Sequence, residues 1–207
     1  MKLGILGSGD IGGALGQHWA REGHEVFFSS RHPETLDALV AQAGSTAQAG
    51  TVDDALAFAD VLLEAIPFHA AMELPPSAVA GKIVLQASNY YPHRDGAIDL
   101  GGLSQSEAFA RRLPGARVVK VFNMMFAGEM TARLDNDSLP RWTIFLAGDD
   151  LEARSVAAQL VEEARFTPVD AGALAEGRHF ETDAPLYAQR LSEDDARQRL
   201  AALRRDG

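Results

Sequence analysis

Gly7-Ser8-Gly9-Asp10-Ile11-Gly12 carries three glycines at the spacing of a dinucleotide-binding turn, and the flanking residues give the pattern its meaning. Before it, Lys2 to Leu6 is a short apolar run that reads as a strand. After it, Ile11, Leu15 and Trp19 share one face of a helix that runs to Arg21. Strand, glycine turn and helix bring unpaired backbone N–H groups and a positive helix end to one point, the arrangement that holds a pyrophosphate. In that reading Gly7 permits the tight turn, Gly9 lets the backbone approach phosphate, and Gly12 lets helix and strand pack closely. Ser8, Asp10 and Ile11 complete the candidate cofactor loop. A carboxylate is unfavourable beside phosphate, and Asp is a preferred capping residue, so capping is the competing reading of Asp10.

The same alternation continues outward. Gly23-His24 closes the helix, Glu25 to Ser29 reads as a second strand, and a helix follows from Pro33 to Ala43 with proline in its first turn. Further strands are expected at Thr46–Ala49, Val61–Ile66, Lys82–Gln86 and Val118–Phe122, separated by helix-compatible stretches at 51–59, 68–74 and 104–113. Beyond Phe122 the spacing loosens. Leu134 to Pro140 reads as an exposed loop, Trp142–Ala147 as a strand, Leu151–Ala164 as a helix and Phe166–Asp170 as a final strand. In the terminal helix Ala196, Leu200 and Leu203 share a face that must pack on the sheet or on another subunit, which makes a homodimer plausible. The expected fold class is α/β: a Rossmann-type doubly wound, mostly parallel sheet, covered on both sides. A dinucleotide-binding domain is expected over residues 1–125, with a small α/β C-terminal extension over 126–207 on the same sheet.

A site that prefers NAD places an acidic residue at the end of the second strand, about 20 residues past the turn, to bind the ribose hydroxyls. Here that strand ends Ser29-Ser30-Arg31-His32. Hydroxyls and a guanidinium suit the extra 2′-phosphate of NADP, so Ser30, Arg31 and His32 join the candidate site and NADP(H) is the expected cofactor.

Composition narrows the class. The 207 residues include 19 Lys and Arg against 29 Asp and Glu, a formal net charge of −10, and no cysteine. Thiol chemistry, disulfides and cysteine-ligated metals are excluded, and no histidine pair has metal-ligand spacing. An acidic chain without a basic block is a poor partner for nucleic acid. The start lacks the apolar core of a signal peptide, and the longest apolar stretch, Val61 to Phe68, is short of a bilayer span and interrupted by Glu64. A cytoplasmic protein with no membrane partner is the expectation.

From Met1 to about Gly172 the chain resembles the NADP oxidoreductases that use the 8-hydroxy-5-deazaflavin coenzyme F-420, a family with relatives in the NADPH domain of the six-transmembrane metalloreductases. The resemblance rests on the Gly7–Gly12 turn, Ser30-Arg31, Ala65-Ile66-Pro67, Asn89, the run Arg117 to Asn123 and Val169-Asp170-Ala171-Gly172. It implies that Ile66 and Pro67 line the cofactor's path, and that Asn123 and Met124-Met125 border the nicotinamide, with Asn89 nearby. It further implies hydride transfer between NADPH and a flavin-like acceptor, F-420 or a flavin, as the small-molecule redox partner. Such transfer needs two ring faces in contact with water excluded and little acid–base help. Reduction of a small carbonyl or imine is the alternative activity, and a non-catalytic NADPH sensor a third. The carbonyl alternative needs a proton donor, for which His69 and Lys120 are the candidates. The competing readings are a helix start for His69 and a lysine snorkelling out of a sheet end for Lys120. Tyr90, Tyr91 and His93 offer a wall for a planar ligand. Phe180-Glu181-Thr182-Asp183-Ala184-Pro185 departs from the apolar segment with which the family forms its second-substrate pocket, so the acceptor stays open.

Overall fold

In the computed structural model, which describes residues 1–136 and 138–206, strand and helix alternate from the first residues. β1 (Lys2–Leu6) is followed by α1 (Asp10–Arg21), β2 (Glu25–Ser29), a 3-10 turn at Pro33–Leu36, α2 (Asp37–Ala43), β3 (Ala47–Gly50), α3 (Val52–Phe58) and β4 (Val61–Glu64). Two single turns, α4 (Phe68–Ala71) and α5 (Pro76–Val79), precede β5 (Ile83–Gln86), and α6 (Pro92–Asp95) and α7 (Gln105–Arg112) precede β6 (Arg117–Lys120). The remainder is α8 (Ala127–Leu134), β7 (Thr143–Gly148), α9 (Leu151–Glu163), β8 (Thr167–Asp170), a 3-10 turn at Leu174–His179 and α10 (Glu193–Asp206).

The described strands form one sheet in the order β3-β2-β1-β4-β5-β6-β7-β8. The first six are parallel; β7 runs antiparallel to β6, pairing Ala147 with Lys120, and β8 is parallel to β7. This is the Rossmann-type α/β fold. Side chains alternate across the sheet, so Leu63, Leu85 and Val119 pack with Leu15, Trp19 and Leu160 on one side. Leu62, Val84 and Val118 pack with Leu56, Phe109 and Leu113 on the other. Burying each such side chain is worth roughly 1.5–3 kcal/mol, which is why continuous apolar strands end up covered on both faces. None of the described helices is long and apolar enough to cross a membrane.

Several boundaries differ from those expected, and each difference has a local cause. β4 and β6 stop at Glu64 and Lys120, earlier than Ile66 and Phe122, because the chain turns there; Phe122 has φ of 60°. The helix expected from Pro33 is a 3-10 turn before α2, and the stretch 68–74 is only a short turn, cut off before Pro75-Pro76. α8 lies where the loosened spacing points to no element, and its last residue, Leu134, is buried in a helix instead of starting the expected exposed loop. Ala196 and Leu200 of α10 are buried against Phe145, Val169, Phe180 and Leu186 of the same chain. The apolar face that the sequence left open to a second subunit is therefore covered from within.

Candidate functional site

The carboxyl ends of the parallel strands, where ligands of open α/β sheets bind, carry the candidate residues. Gly7 sits at φ +95°, and a Cβ there would stand 2.6 Å from the Ala65 carbonyl oxygen. A Cβ on Gly12 would meet the Gly7 carbonyl at 2.1 Å, so helix α1 can lie this close to β1 only without a side chain. Gly9 is different. A Cβ there would meet nothing within 4 Å, so the protein leaves open the space over the middle of the turn. Gly9 is also the N-cap of α1 and makes no side-chain cap, which leaves the first-turn N–H groups for an outside acceptor. Asp10 neither caps the helix nor joins the outer groove: it is already inside α1 and lines a shallow depression toward α8.

A groove of about 670 Å³ runs outward from this turn over the end of β2. Gly7, Ser8, Gly9, Ser30, Arg31 and His69 line it. Ser8 Oγ donates to the Ser29 carbonyl at 3.0 Å, which fixes the turn on β2. Arg31 has no hydrogen-bond or ion-pair partner among the described residues, so its guanidinium is available to an anion in the groove. His32 does not line the groove: its ring is largely exposed and lies 3.4 Å from Glu34, because the chain turns into the 3-10 segment there. His69 lines the outer groove, with Nδ1 held 2.8 Å from Asp95 Oδ1.

An inner cavity of about 370 Å³ lies on the other side of Ile66 and Pro67, which line both spaces. Asn89 and Asn123 stand at its base. Asn89 Nδ2 donates to the Asn123 carbonyl at 2.7 Å, and Asn123 Nδ2 donates to Asn89 Oδ1 at 3.0 Å and to the Phe180 carbonyl at 2.8 Å. Asn123 Oδ1 is buried without a donor, an acceptor left over by this network. Met125 and Phe126 line the cavity; Met124 points into the core beneath β7, where its sulfur accepts from Phe145 N–H. Adjacent residues point opposite ways here, so the methionine at the cavity is the second of the pair.

The loop after β5 is held by one carboxylate. Asp95 accepts from His69, from the Tyr91 N–H at 2.9 Å and from Arg94, and its side chain has no solvent exposure. Burial opposes its ionisation, but hydrogen bonds from Arg94, Tyr91 and His69 outweigh this and hold the carboxyl well below the usual carboxylate range. Arg94, committed to Asp95 and to the Asn89 carbonyl, lines the inner cavity. Tyr187 reaches it from the C-terminal segment, its hydroxyl 2.6 Å from that of Tyr91. The departure at Phe180-Glu181 thus does not remove that segment from the cavity. Phe180 is core, and Glu181 accepts from Gln105 N–H at 2.9 Å and Ser106 N–H at 2.8 Å at the start of α7.

Behind the cavity wall lies a buried polar row that sequence reasoning missed. Glu64 pairs in register with Gln86, and Gln86 with Lys120, so the last residues of β4, β5 and β6 share one face. All three have 0% exposure. Lys120 therefore does not snorkel; its ammonium donates to the Ser88 carbonyl and does not line the cavity. Glu64 accepts from Ser88 Oγ at 2.6 Å and from the Ile66 N–H at 3.1 Å. Burial pushes the Glu64 carboxyl up to about 7, against the opposing pull of Ser88 and Lys120, and burial pushes Lys120 down to about 8 against the pull of Glu181 and Glu64. Both atoms of the Gln86 amide are without hydrogen-bond partners among the described residues.

Residues 2–90 match the model of the family described as NADP oxidoreductase, coenzyme F-420-dependent. Over this N-terminal part the chain is similar to that family. The match includes the glycine turn and the outer groove and stops at Tyr90, so Asn123, Met125 and Tyr187 lie outside the part that the family model describes. Over 187 residues the chain is 29% identical to metalloreductase STEAP3 of Rattus norvegicus, covering 87% of this chain and 36% of the relative. It spans about a third of the length of the curated relatives it matches. Among solved structures, a hypothetical protein from Sinorhizobium meliloti superposes with a TM-score of 0.80 at 30% identity, covering 94% of this chain and 96% of the other. A putative F-420-dependent NADP-reductase from Arthrobacter sp. gives a TM-score of 0.72 at 24% identity, covering 86% and 87%, a likeness of fold.

Proposed function

We propose that this NADP oxidoreductase binds NADP(H) along the two joined spaces and exchanges hydride with a flavin-type acceptor, F-420 or a flavin, in the inner cavity. The observation that carries this is the continuity at Ile66 and Pro67. An unpaired guanidinium stands in the groove on one side of them, and an unpaired amide oxygen stands by the cavity on the other. The open space above Gly9 and the uncapped start of α1 suit a pyrophosphate between the two. Arg31 and Ser30 then take the 2′-phosphate, and Asn123 Oδ1 accepts from a carboxamide N–H. The bound dinucleotide supplies a hydride. The protein's own work is to bind and orient: Ile11, Met125 and Phe126 present apolar surface that excludes water, and Tyr91 and Tyr187 offer a wall for a planar ring. His69, in the outer groove, belongs to nucleotide binding in this reading.

The test is a pair of titrations, NADPH against NADH, followed by anaerobic NADPH oxidation with F-420, FMN, a quinone and a ferric chelate in turn. Preference for NADPH together with two-electron reduction of F-420 or FMN supports the reading. Tight NADPH binding without oxidation by any acceptor overturns the enzymatic part of it.

A further inference from the structure

Glu64 is a fully buried carboxyl group one hydrogen bond from the surface of a cavity. Ser88 lines that cavity and its hydroxyl donates to Glu64 Oε2 at 2.6 Å. Behind them the groups facing Glu64 are Lys120 from β6, Gln86 from β5 and the Ile66 N–H of its own loop. Glu181 faces Lys120 from the C-terminal segment, and Arg94 lines the same cavity. Transfer of hydride to a flavin-type ring does not require this apparatus, because the anion formed is spread over the ring.

We propose that Ser88 and Glu64 deliver a proton into the inner cavity, which equips it to reduce a polar double bond, C=O or C=N, whose two ends take up a hydride and a proton. The inference rests on the NADPH reading above and extends it to a second substrate class. The other titratable groups near the cavity are placed for other work. His69 faces the outer groove, and Lys120 sits behind the wall with its ammonium on the Ser88 carbonyl. Tyr187 is pushed above the usual phenol range, by burial first and then by the Tyr91 hydroxyl, which makes it a weaker acid. Burial leaves Glu64 close to neutrality, the range in which a general acid works best.

The step balances. The hydride carries two electrons to the substrate carbon, the π bond opens, and the electron pair left on oxygen or nitrogen takes the Ser88 Oγ proton. With Glu64 protonated the 2.6 Å bond runs the other way, the carboxyl donating to Ser88 Oγ and the hydroxyl turning its proton into the cavity; as that proton leaves, the carboxyl proton passes to Ser88 Oγ, so serine is restored and Glu64 is left as a carboxylate beside Lys120. Once the product has left, water entering the cavity returns a proton to Glu64 through Ser88 Oγ.

The test uses the full chain with Glu64→Gln and Ser88→Ala. In the apoprotein, carbon NMR of labelled glutamate is expected to show a carboxyl titrating at about 7, absent in Glu64→Gln and shifted in Ser88→Ala. NADPH affinity is read by titration. Anaerobic single turnovers with cyclohexanone, 1-pyrroline and FMN follow, the ketone from about pH 5.5 to about pH 9. The expected result is a wild-type ketone rate that declines above neutrality. Each variant should lower it about 100-fold, at least tenfold more than it lowers the FMN rate, and the decline should vanish in Glu64→Gln. Ketone and FMN rates that fall in parallel, or a wild-type pH profile in Glu64→Gln, overturn the relay. A protein that binds NADPH and reduces FMN but neither the ketone nor the imine overturns it while leaving the proposed function standing; a failure to bind NADPH overturns both.

Discussion

The hydroxyls of Tyr91 and Tyr187 meet at 2.6 Å although 96 positions separate them in the chain. The bond ties the loop after β5 to the C-terminal segment at the edge of the inner cavity, so it belongs to stability and to binding at once. Tyr187→Phe keeps the ring and removes the link. It is expected to cost about 0.5–1.5 kcal/mol in urea unfolding and to raise the KM for the acceptor more than that for NADPH. Equal effects on both KM values would place the pair outside the acceptor's reach.

Arg31 has no partner among the described residues, and Ser30 lies beside it in the groove. Arg31→Ala should therefore be harmless to folding and weaken NADPH by about 10–100-fold, the worth of a charge-assisted phosphate contact of about 1.5–3 kcal/mol, with little change for NADH. An unaltered NADPH/NADH ratio in equilibrium titrations refutes the 2′-phosphate assignment.

Two glycines of the turn should part company on substitution. Gly9 has extended backbone angles, φ −79° and ψ −159°, and open space around it, so Gly9→Val should unfold at the wild-type temperature and bind neither nucleotide. Gly12→Ala forces a carbon to within 2.1 Å of the Gly7 carbonyl, so it should lose about 1–3 kcal/mol or more through backbone displacement. Thermal melts and NADPH titrations on the two variants decide this; nucleotide binding by Gly9→Val would contradict the proposed site.

Stability should record the buried acid. The folded-state value of Glu64 lies above its ordinary one, at about 7, so between the two the folded chain keeps a proton that the unfolded chain has released. Stability contributed by this group falls as pH rises through that window and levels off beyond it. Lys120, pushed down to about 8, gives the opposite slope only above that pH, where the unfolded chain holds the extra proton. The stability of the wild type relative to Glu64→Gln should thus decline from about pH 5 to about pH 7 in urea titrations. A constant difference over that range would mean that Glu64 is ionised throughout.

The nucleotide half of the site was legible because its determinants are local. Three glycines within six residues, and a serine and arginine just past the next strand, state a turn and a candidate anion site without reference to anything distant. The inner cavity is assembled from far-apart segments, and periodicity does not report which of Met124 and Met125 faces it or that Tyr187 returns to it. Asp10 and Lys120 were misread for the same reason: a cap and a snorkelling lysine are single-residue expectations, and tertiary packing decided otherwise. One signal was present. The strands end Val-Leu-Leu-Glu64, Ile-Val-Leu-Gln86 and Arg-Val-Val-Lys120, and parallel pairing in register places three polar residues at the same step of neighbouring strands.

Phe180 accepts from Asn123, Glu181 holds the start of α7, and Tyr187 completes the inner cavity, so late residues finish a pocket whose floor is laid down by β1 to β6. On the ribosome, the glycine turn and its groove can form while the last strands are still inside the exit tunnel, whereas the inner cavity cannot close until Tyr187 has emerged. A nascent chain therefore acquires the proposed phosphate anchorage before it acquires the inner cavity proposed for chemistry.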